Sequence, residues 1–275
     1  MPGGLAVIAG KGELPARVIE AARATGREVF VLGFEGITDP ALVSGLPHRW
    51  VRLGAVGAAL DALKASGAAE VVMIGPVGRP SLGSLGLDWR GVRLAARLGL
   101  SGQADNRVID AIVAELEGEG FRVLGADEVM GSLLTPAGPL TRTAPDPLAE
   151  ADIRRGIEVA RELGRLDVGQ AAVVQEGLVL GVEAIEGTDR LLERCAALRR
   201  PGPGGVLVKV RKVTQDRRVD LPTIGPATVA GAARAGLRGI AIEAGESLIA
   251  ERARTLAEAE AAGLFIVGVP LDPRA

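Results

Sequence analysis

The stretch that decides the fold is Leu5-Ala6-Val7-Ile8-Ala9-Gly10-Lys11-Gly12-Glu13-Leu14-Pro15, near the start of the chain. Its first five residues are all apolar, which predicts a strand that is buried on both faces. Two glycines follow, and an alanine-rich segment over residues 14–25 then predicts a helix. An apolar strand that leads directly into a helix is typical of a parallel sheet in an α/β fold.

The same alternation of apolar strands and helices continues along the chain on both sides of one interruption. Before it, further strands are predicted at 28–32, 50–53, 71–74 and 121–124, with helices at 56–66, 92–98 and 105–119. After it, strands are predicted at 171–174, 178–183, 206–211, 239–242 and 264–269, with helices at 148–163, 189–198, 226–235 and 247–262. Both halves are therefore predicted to be α/β.

The interruption contains Pro136, Pro139, Pro145 and Pro147. Because proline can neither pair in a central strand nor continue a helix, residues 133–147 are predicted to link two domains. We expect an N-terminal Rossmann-like domain with a parallel sheet over 1–132 and a C-terminal α/β catalytic domain over 148–275.

Composition excludes several functional classes. The 32 basic and 34 acidic residues give a net charge of -2, which argues against nucleic acid as a partner. His48 is the single histidine, so a zinc cluster or a di-metal site built on several histidines is excluded. One cysteine, no evident signal peptide and no long apolar run lead us to expect a cytoplasmic protein.

The first candidate site is the loop that contains Gly10 and Gly12. Two glycines would let the backbone approach an anion at the positive end of the following helix. A dinucleotide fingerprint needs a third glycine where Pro15 stands, so a phosphate contact without hydride transfer is favoured over a Rossmann-type oxidoreductase. A plain tight turn is the alternative. Arg79, in the loop after the strand at 71–74, is a second candidate for binding an anion. The alternative is that it is an ordinary surface arginine.

The helix predicted at 92–98 and the residues before it carry basic side chains. Arg90, Arg93 and Arg97 share one helical face, while leucines occupy another. A leucine-rich basic segment of this kind suits a membrane surface, and the alternative is an ordinary amphipathic helix that packs on its own core.

Acidic residues surround a turn in Glu183-Ala184-Ile185-Glu186-Gly187-Thr188-Asp189. Thr188 and Asp189 are residue types that commonly begin a helix. Glu183 and Glu186, at the end of a predicted strand, are candidates for oxygen ligands to a hard cation.

The densest group of charges follows the strand at 206–211, in Lys209-Val210-Arg211-Lys212-Val213-Thr214-Gln215-Asp216-Arg217-Arg218-Val219-Asp220. Strand periodicity places Lys209 and Arg211 on the face opposite the core valines. An extended backbone beyond them would put Asp216 and Asp220 on one face, with Arg218 between them. Cations for a pyrophosphate beside carboxylates for Mg²⁺ are what phosphoryl hydrolysis requires. A solvated charged loop is the alternative.

Five segments in this order resemble the magnesium-dependent UDP-2,3-diacylglucosamine pyrophosphatases of the lipid A pathway, which are unrelated to calcineurin-like phosphoesterases. The segments are Ile8-Ala9-Gly10-Lys11-Gly12-Glu13-Leu14-Pro15, Gly125-Ala126-Asp127-Glu128-Val129-Met130-Gly131, Asp167-Val168-Gly169-Gln170, Glu183-Ala184-Ile185-Glu186-Gly187-Thr188-Asp189-Arg190 and Gln215-Asp216-Arg217-Arg218-Val219-Asp220-Leu221-Pro222-Thr223-Ile224-Gly225. One departure is the segment from Gln103 to Asp110, where relatives tend to carry paired acids followed by Leu-Leu-Arg.

The resemblance implies hydrolysis of UDP-2,3-diacylglucosamine to UMP and 2,3-diacylglucosamine 1-phosphate (lipid X) by attack of water on the α-phosphorus. It also implies Mg²⁺ as cofactor, Asp220 as an essential carboxylate and a two-domain fold that closes over the substrate. The acyl chains imply a transient peripheral contact with the inner membrane. A non-catalytic module that binds a nucleotide sugar or a lipid is the alternative, and the oligomeric state is left open, a homodimer included.

These considerations together assign a set of candidate site residues. Asp220 and Asp216 are candidates for catalysis, and Asp220, Glu183 and Glu186 are candidates for binding Mg²⁺. The candidates for substrate binding are Gly10, Gly12, Arg79, Thr188, Asp189, Lys209, Lys212, Gln215, Arg218 and Thr223.

Overall fold

A computed structural model describes residues 4–78, 86–98, 105–130, 134–212 and 221–271. The described residues divide into two compact units, an N-terminal unit up to residue 130 and a C-terminal unit from residue 134.

The N-terminal unit is a five-stranded parallel sheet with helices. Its strands are β1 (Leu5–Ala9), β2 (Val29–Phe34), β3 (His48–Val51), β4 (Glu70–Ile74) and β5 (Arg122–Leu124), and its helices are α1 (Leu14–Ala24), α2 (Val56–Ala65), α3 (Trp89–Leu98), α4 (Asp105–Gly118) and α5 (Ala126–Met130). The strand order is β3-β2-β1-β4-β5, and every pair is parallel. The Rossmann-like parallel sheet predicted from the sequence is confirmed.

Helix α3 begins earlier than predicted because of one acidic side chain. The carboxylate of Asp88 accepts hydrogen bonds from the backbone N–H of Gly91, at 2.8 Å, and of Gly57, at 2.7 Å. It thereby satisfies first-turn donors of both α3 and α2. Burial opposes ionisation of Asp88, but these backbone donors outweigh it and hold its pKa below the ordinary value.

The C-terminal unit contains a mixed six-stranded sheet. Its strands are β6 (Gly138–Pro139), β7 (Ala171–Gln175), β8 (Leu178–Val182), β9 (Val206–Lys209), β10 (Thr223–Ile224), β11 (Gly239–Glu243), β12 (Leu248–Ile249) and β13 (Phe265–Val269), and its helices are α6 (Pro147–Arg165), α7 (Gly187–Ala196), α8 (Pro226–Arg234) and α9 (Arg252–Ala261). The large sheet has the order β6-β13-β11-β9-β7-β8, and β10 pairs with β12 separately. Strands β9, β11 and β13 are parallel, whereas β6, β7 and β8 run antiparallel to their neighbours. The predicted α/β class of this half is confirmed.

Two segments differ from the expectation. Within the proline-rich stretch predicted as a linker, Gly138–Pro139 pairs with β13 as an edge strand, where a proline is tolerated. The hydroxyl of Thr141 also accepts a hydrogen bond from the N–H of Ile266 at 2.9 Å. The helix predicted at 247–262 begins only at Arg252, because Leu248 and Ile249 pair with β10.

Strand β9 is buried on both faces. Val206 and Val208 pack in a cluster with α6, while Leu207 packs in a second cluster with α7 and α8. The alternation predicted for this strand is present, but the face opposite the valines is a second core rather than a polar surface. Lys209 is consequently only 8% exposed.

Helix α6 approaches β9 closely at a glycine. A side chain on Gly156 would overlap with the side chain of Val208. Gly156→Ala should therefore lower the free energy of unfolding by about 1–3 kcal/mol through overpacking. Gly118→Ala is the control, because Gly118 is also helical but has no atom within 4 Å of an added Cβ. Gly118→Ala should raise the free energy of unfolding by up to about 1 kcal/mol. Urea unfolding monitored by circular dichroism measures both, and equal midpoints for the two variants would contradict the packing argument.

Candidate functional site

The predicted site residues fall into three groups. Gly10 and Gly12 lie in the N-terminal unit. In the C-terminal unit lie Glu183, Glu186, Thr188, Asp189, Lys209, Lys212 and Thr223. Arg79, Gln215, Asp216, Arg218 and Asp220 lie outside the described residues.

The two glycines of the N-terminal loop have different roles. A side chain on Gly10 would overlap with the carbonyl oxygen of Gly75, in the loop after β4, and the N–H of Gly10 donates to Ile74 at 2.8 Å. The N–H of Lys11 likewise donates to Pro76 at 2.9 Å. These two donors are used within the protein, so Gly10 serves the close approach of two loops. Gly12 has a φ of +87° and open space around it, and it is the glycine that leaves room for a ligand.

In the C-terminal unit, the polar residues gather at one edge of the large sheet. Lys209 ends β9 and Glu243 ends β11, which is a parallel neighbour. The antiparallel strands β7 and β8 bring Gln170 and Glu183 to the same edge, since Ala171 pairs with Lys209 and Ala172 pairs with Val182. The carboxyl edge of a parallel sheet is where α/β proteins usually bind ligands.

A chain of hydrogen bonds connects four elements at this edge. The hydroxyl of Thr188 donates to Glu183 Oε1 at 2.5 Å and accepts from Lys209 Nζ at 3.0 Å. Lys209 Nζ also donates to the carbonyl oxygen of Thr223 at 3.2 Å. The structure therefore brings together three of the predicted substrate-binding residues and one predicted metal ligand.

Lys209 is the cation of this edge best suited to an anionic ligand. An ammonium group has three donors, and the two hydrogen bonds above use two of them. Both partners are neutral oxygens, and Lys209 forms no ion pair with any residue that the structure describes. Because a buried charge is costly unless it is paired, the site favours a negative group beside this nitrogen.

Lys212, a second predicted cation of this unit, is already paired with an acid of the chain. Lys212 Nζ lies 2.9 Å from Asp167 Oδ1. Its neighbour Arg211 places Nε 3.0 Å from Glu246 Oε2. These contacts hold the backbone after β9 against the rest of the unit, which is a positioning role.

Glu183 and Glu186 give little support to the predicted cation site. Glu183 is buried, and its second oxygen accepts from the N–H of Gln170 at 3.1 Å. Glu186 accepts from Arg194 at 2.6 Å, and a backbone N–H together with this guanidinium holds its pKa below the ordinary value. Within the described ranges, no group of three acidic, histidine or cysteine side chains could hold a metal ion. The described residues alone therefore do not fit a Mg²⁺ site.

Thr188 and Asp189, which were predicted to begin helix α7, do not cap it. The hydroxyl of Thr188 is engaged with Glu183 and Lys209 rather than with the helix backbone, and the helix starts at Gly187 without a side-chain cap. Asp189 is exposed in the first turn.

Sequence reasoning missed two residues of this edge. Position 169 requires a glycine, because a Cβ there would overlap with the carbonyl oxygen of Glu183. The buried carboxylate of Glu243 accepts from the N–H of Arg211 at 2.9 Å. An acid directly after the apolar run Ile240-Ala241-Ile242 was the available signal for Glu243.

The fold and this edge define a two-domain α/β protein with a candidate ligand site at the carboxyl edge of its C-terminal sheet. Residues 4–133 match the family model of the LpxI N-terminal domain, and residues 136–267 match that of the LpxI C-terminal domain. The UDP-2,3-diacylglucosamine pyrophosphatase LpxI of Caulobacter vibrioides is 43% identical over 98% of both chains. The chain belongs to the LpxI family.

The similarity to a solved structure is much weaker. A crystal structure of a biotin carboxylase–β-γ-ATP complex from Campylobacter jejuni is 12% identical, with a TM-score of 0.29, over 71% of this chain and 41% of that chain. This similarity is too low to inform the site.

Glu243 predicts a measurable pH dependence of stability. Burial raises the pKa of its carboxyl above the ordinary 4.5, although the N–H and charge of Arg211 oppose this. Below 4.5 the group is protonated in both the folded and the unfolded protein. As the pH rises through the folded pKa, only the folded state has to ionise a buried group, so stability is lost. The free energy of unfolding of the natural protein should therefore fall relative to that of Glu243→Gln.

Urea unfolding between about pH 4.5 and pH 7 tests this expectation. Glu246→Gln, which removes the ion-pair partner of Arg211 but keeps the carboxylate of Glu243, is the control that should follow the natural protein more closely. Parallel pH profiles for the natural protein and Glu243→Gln would contradict the assignment.

Proposed function

We propose that this protein hydrolyses the pyrophosphate bond of UDP-2,3-diacylglucosamine to UMP and 2,3-diacylglucosamine 1-phosphate in lipid A biosynthesis. The observation that carries the proposal is the 43% identity, over 98% of both chains, to a relative named as the pyrophosphatase of this substrate. Matches to family models support it in both halves of the chain, over residues 4–133 and 136–267.

The C-terminal edge supports a role in charge stabilisation. In the proposed reaction, a water oxygen attacks the α-phosphorus, and the bond from that phosphorus to the bridging oxygen breaks. Negative charge then grows on the bridging oxygen, which leaves with the sugar phosphate. A fixed cation aimed at that charge lowers the barrier, and the remaining donor of Lys209 is suited to this role. Thr188 holds Lys209 in place and so acts as a positioning residue.

We assign the essential carboxylate to Asp220 and a supporting one to Asp216. The resemblance of residues 215–225 to the family is the basis for this assignment. Leu221 and Thr223 follow Asp220 in the chain and are among the residues that the structure describes. The carbonyl oxygen of Thr223 accepts a hydrogen bond from Lys209 Nζ. The resemblance also supports Mg²⁺ as cofactor. We propose Asp220 as one of its ligands, since no group of three acidic, histidine or cysteine side chains among the described residues could hold a metal ion.

Removal of the carboxylate tests the reaction. Asp220→Ala should lower the rate of UMP release by about 10²–10⁴-fold, because a group that acts on the reacting atoms is lost, while substrate binding is retained. Asp216→Ala is the matched comparison and should lose less. Initial rates of UMP release, with Mg²⁺ and with a chelator in excess, together with equilibrium binding of the substrate, measure these effects.

The outcomes separate the proposal from a binding function. Turnover by the natural protein that stops in chelator and in Asp220→Ala supports both the reaction and the site. Substrate binding by the natural protein without any UMP release would instead indicate a non-catalytic module that binds a lipid or nucleotide sugar. A normal rate for Asp220→Ala would overturn the assignment of that residue.

We also propose a transient contact with the membrane surface through helix α3. No helix among the described residues is long and apolar enough to cross a membrane. Trp89 is 65% exposed and Val92 is 55% exposed on this helix. Arg90 pairs with Glu119, just after α4, and Arg93 pairs with Glu115 of α4. Both guanidinium groups also lie close to the Trp89 ring, at 5.4 Å and 5.2 Å, so the proposal is based on apolar contact by Trp89 and Val92.

The expected result is that changing Trp89 and Val92 together to Ala weakens binding to phosphatidylethanolamine–phosphatidylglycerol vesicles by about tenfold or more. Leu166→Ala is the control, because Leu166 is 74% exposed but lies in the other unit. Changing Arg90, Arg93 and Arg97 to Glu should have a smaller effect than the apolar pair. Sedimentation with vesicles measures binding, and equal sedimentation of the natural protein and the Trp89 and Val92 variant would leave α3 an ordinary surface helix.

A further inference from the structure

Three arginines of the C-terminal unit lie at the edge of its sheet that is opposite the candidate site. Arg199 and Arg200 follow helix α7, and Arg234 ends helix α8. All three side chains are exposed, and within the described ranges none of them forms an ion pair. Arg238, at the same edge, is by contrast already paired, with Nη2 2.9 Å from Asp146 Oδ1.

The hairpin of β7 and β8 locates these arginines in the fold. Ala171 begins β7 at the carboxyl edge, where it pairs with Lys209, and Gln175 ends the same strand. Five extended residues place the two ends of a strand about 13 Å apart. The side-chain amide of Gln175 accepts a hydrogen bond from the N–H of Arg200 at 3.1 Å and donates one to its carbonyl oxygen at 2.9 Å. The arginines are therefore separate from the site described above.

Two exposed leucines lie beside the arginines. Leu178 pairs with Gln175 across the hairpin, so its side chain is on the same face as the amide that holds Arg200. Leu198 directly precedes Arg199. Leu178 is 49% exposed and Leu198 is 47% exposed, so the fold leaves apolar surface of both in water. Apolar surface that is rimmed by charged side chains is typical of protein interaction sites.

The fold holds these arginines in place. A Cβ on Gly236 would lie 2.7 Å from Arg199 Nη1, so this guanidinium group lies along the backbone after α8. Arg234 is two residues before Gly236, which brings the third arginine to the same surface. The backbone of Arg200 is fixed by Gln175, whose side chain is completely buried. Because little freedom is left to lose on binding, the arrangement favours a partner whose own charges are fixed.

We infer that the surface formed by Leu178, Leu198, Arg199, Arg200 and Arg234, here called the arginine–leucine surface, binds a protein partner that presents carboxylates around apolar side chains. A guanidinium group binds a carboxylate through two parallel hydrogen bonds. All three cations of the surface are arginines, the basic residue type that is enriched at protein interfaces, whereas lysine is depleted there. The inference is independent of the proposed reaction, which uses the other edge of the sheet.

The charge and shape of the surface favour this partner over a lipid bilayer. The turn of the hairpin contributes one exposed acid, Glu176, which pairs with none of the three arginines, so positive charge is in excess. Binding to a bilayer requires apolar side chains that project into the acyl region, whereas Leu178 and Leu198 are half covered by their own unit. Mobile lipid headgroups also gain little from arginines that are held at fixed positions.

The first experiment determines which peptides the surface selects. The probe is a library of short random peptides displayed on phage, selected in parallel on the natural protein and on the triple variant Arg199→Glu, Arg200→Glu and Arg234→Glu. Peptides selected by the natural protein should be enriched in Asp and Glu together with large apolar residues, and the triple variant should not retain them because its charge is reversed. Selection of the same peptides by both proteins, or of peptides without acidic enrichment, would overturn the inference.

The affinity for one selected peptide, measured by fluorescence anisotropy, tests the charge contribution. Arg200→Glu should weaken binding by about tenfold or more. Arg252→Glu is the matched control, because Arg252 begins α9, is also exposed and has no ion pair among the residues that the structure describes. It should bind the peptide as the natural protein does. Equal weakening by the two variants would show that only net charge matters and would overturn the inference.

The apolar contribution has its own pair of variants. Changing Leu178 and Leu198 together to Ser should weaken binding of the same peptide by about tenfold or more, because the apolar contact is lost. Leu166→Ser is the control, since Leu166 is 74% exposed at the end of α6. Unchanged affinity of the double variant would reduce the surface to a set of charges and contradict the inferred chemistry of the partner. Thermal unfolding shows that each variant is folded.

Two further measurements test other occupants of the surface. If the natural protein sediments with phosphatidylglycerol vesicles and the triple variant does not, the surface binds a lipid bilayer. If analytical ultracentrifugation shows a dimer that the triple variant loses, the surface binds a second copy of the chain. Either result would overturn the inference, whereas a monomer that selects acidic peptides and ignores vesicles through this surface supports it. Peptide binding requires no turnover, so a failure of the proposed reaction leaves these outcomes unchanged.

Discussion

The buried ammonium group of Lys209 is the constraint on which the C-terminal unit depends. Taking such a charge out of water costs several kcal/mol unless polar atoms replace the water. Thr188 on α7 and the carbonyl oxygen of Thr223 on β10 supply those atoms, and Glu183 fixes the hydroxyl of Thr188. Four elements that are distant in sequence are thereby held at one sheet edge. A solvent-exposed lysine would impose no such requirement, and the segments around it could vary independently.

The N-terminal unit depends on a different constraint, the close approach of two loops at the switch between β1 and β4. Gly10 and Gly75 meet backbone to backbone, so neither position has room for a side chain. Gly75 also has a φ of +89°, which glycine adopts without strain. The sheet order places this contact where an open α/β sheet has its ligand crevice. The glycines thus fix the shape of the crevice rather than cradle a phosphate through the N–H groups of residues 10 and 11.

The fold class could be predicted from local patterns because apolar runs such as Leu5–Ala9 and Ile240-Ala241-Ile242 have only one stable environment, the interior of a covered parallel sheet. Pairing between distant segments was not available from those patterns. The edge strand Gly138–Pro139 and the short strand Leu248–Ile249 depend on partners elsewhere in the chain, so they were expected as linker and helix. At the site, strand periodicity correctly separated Lys209 from the valines. It could not show that α7 and α8 cover the lysine face, and this cover is what makes Lys209 a buried cation.

The two units carry complementary chemistry. The edge of the C-terminal sheet holds acids, a buried lysine and hydroxyl groups, whereas the apolar cavity under α2, α3 and α4 of the N-terminal unit is lined almost entirely by hydrocarbon. Pyrophosphate needs fixed polar groups, whereas hydrocarbon groups gain from leaving water. A single compact core would suit neither the pyrophosphate nor the hydrocarbon groups, because polar groups inside an apolar cavity would be left without partners. In this chain the buried lysine and its hydroxyl partner lie in one α/β unit and the apolar cavity lies in the other, so neither unit has to satisfy both requirements.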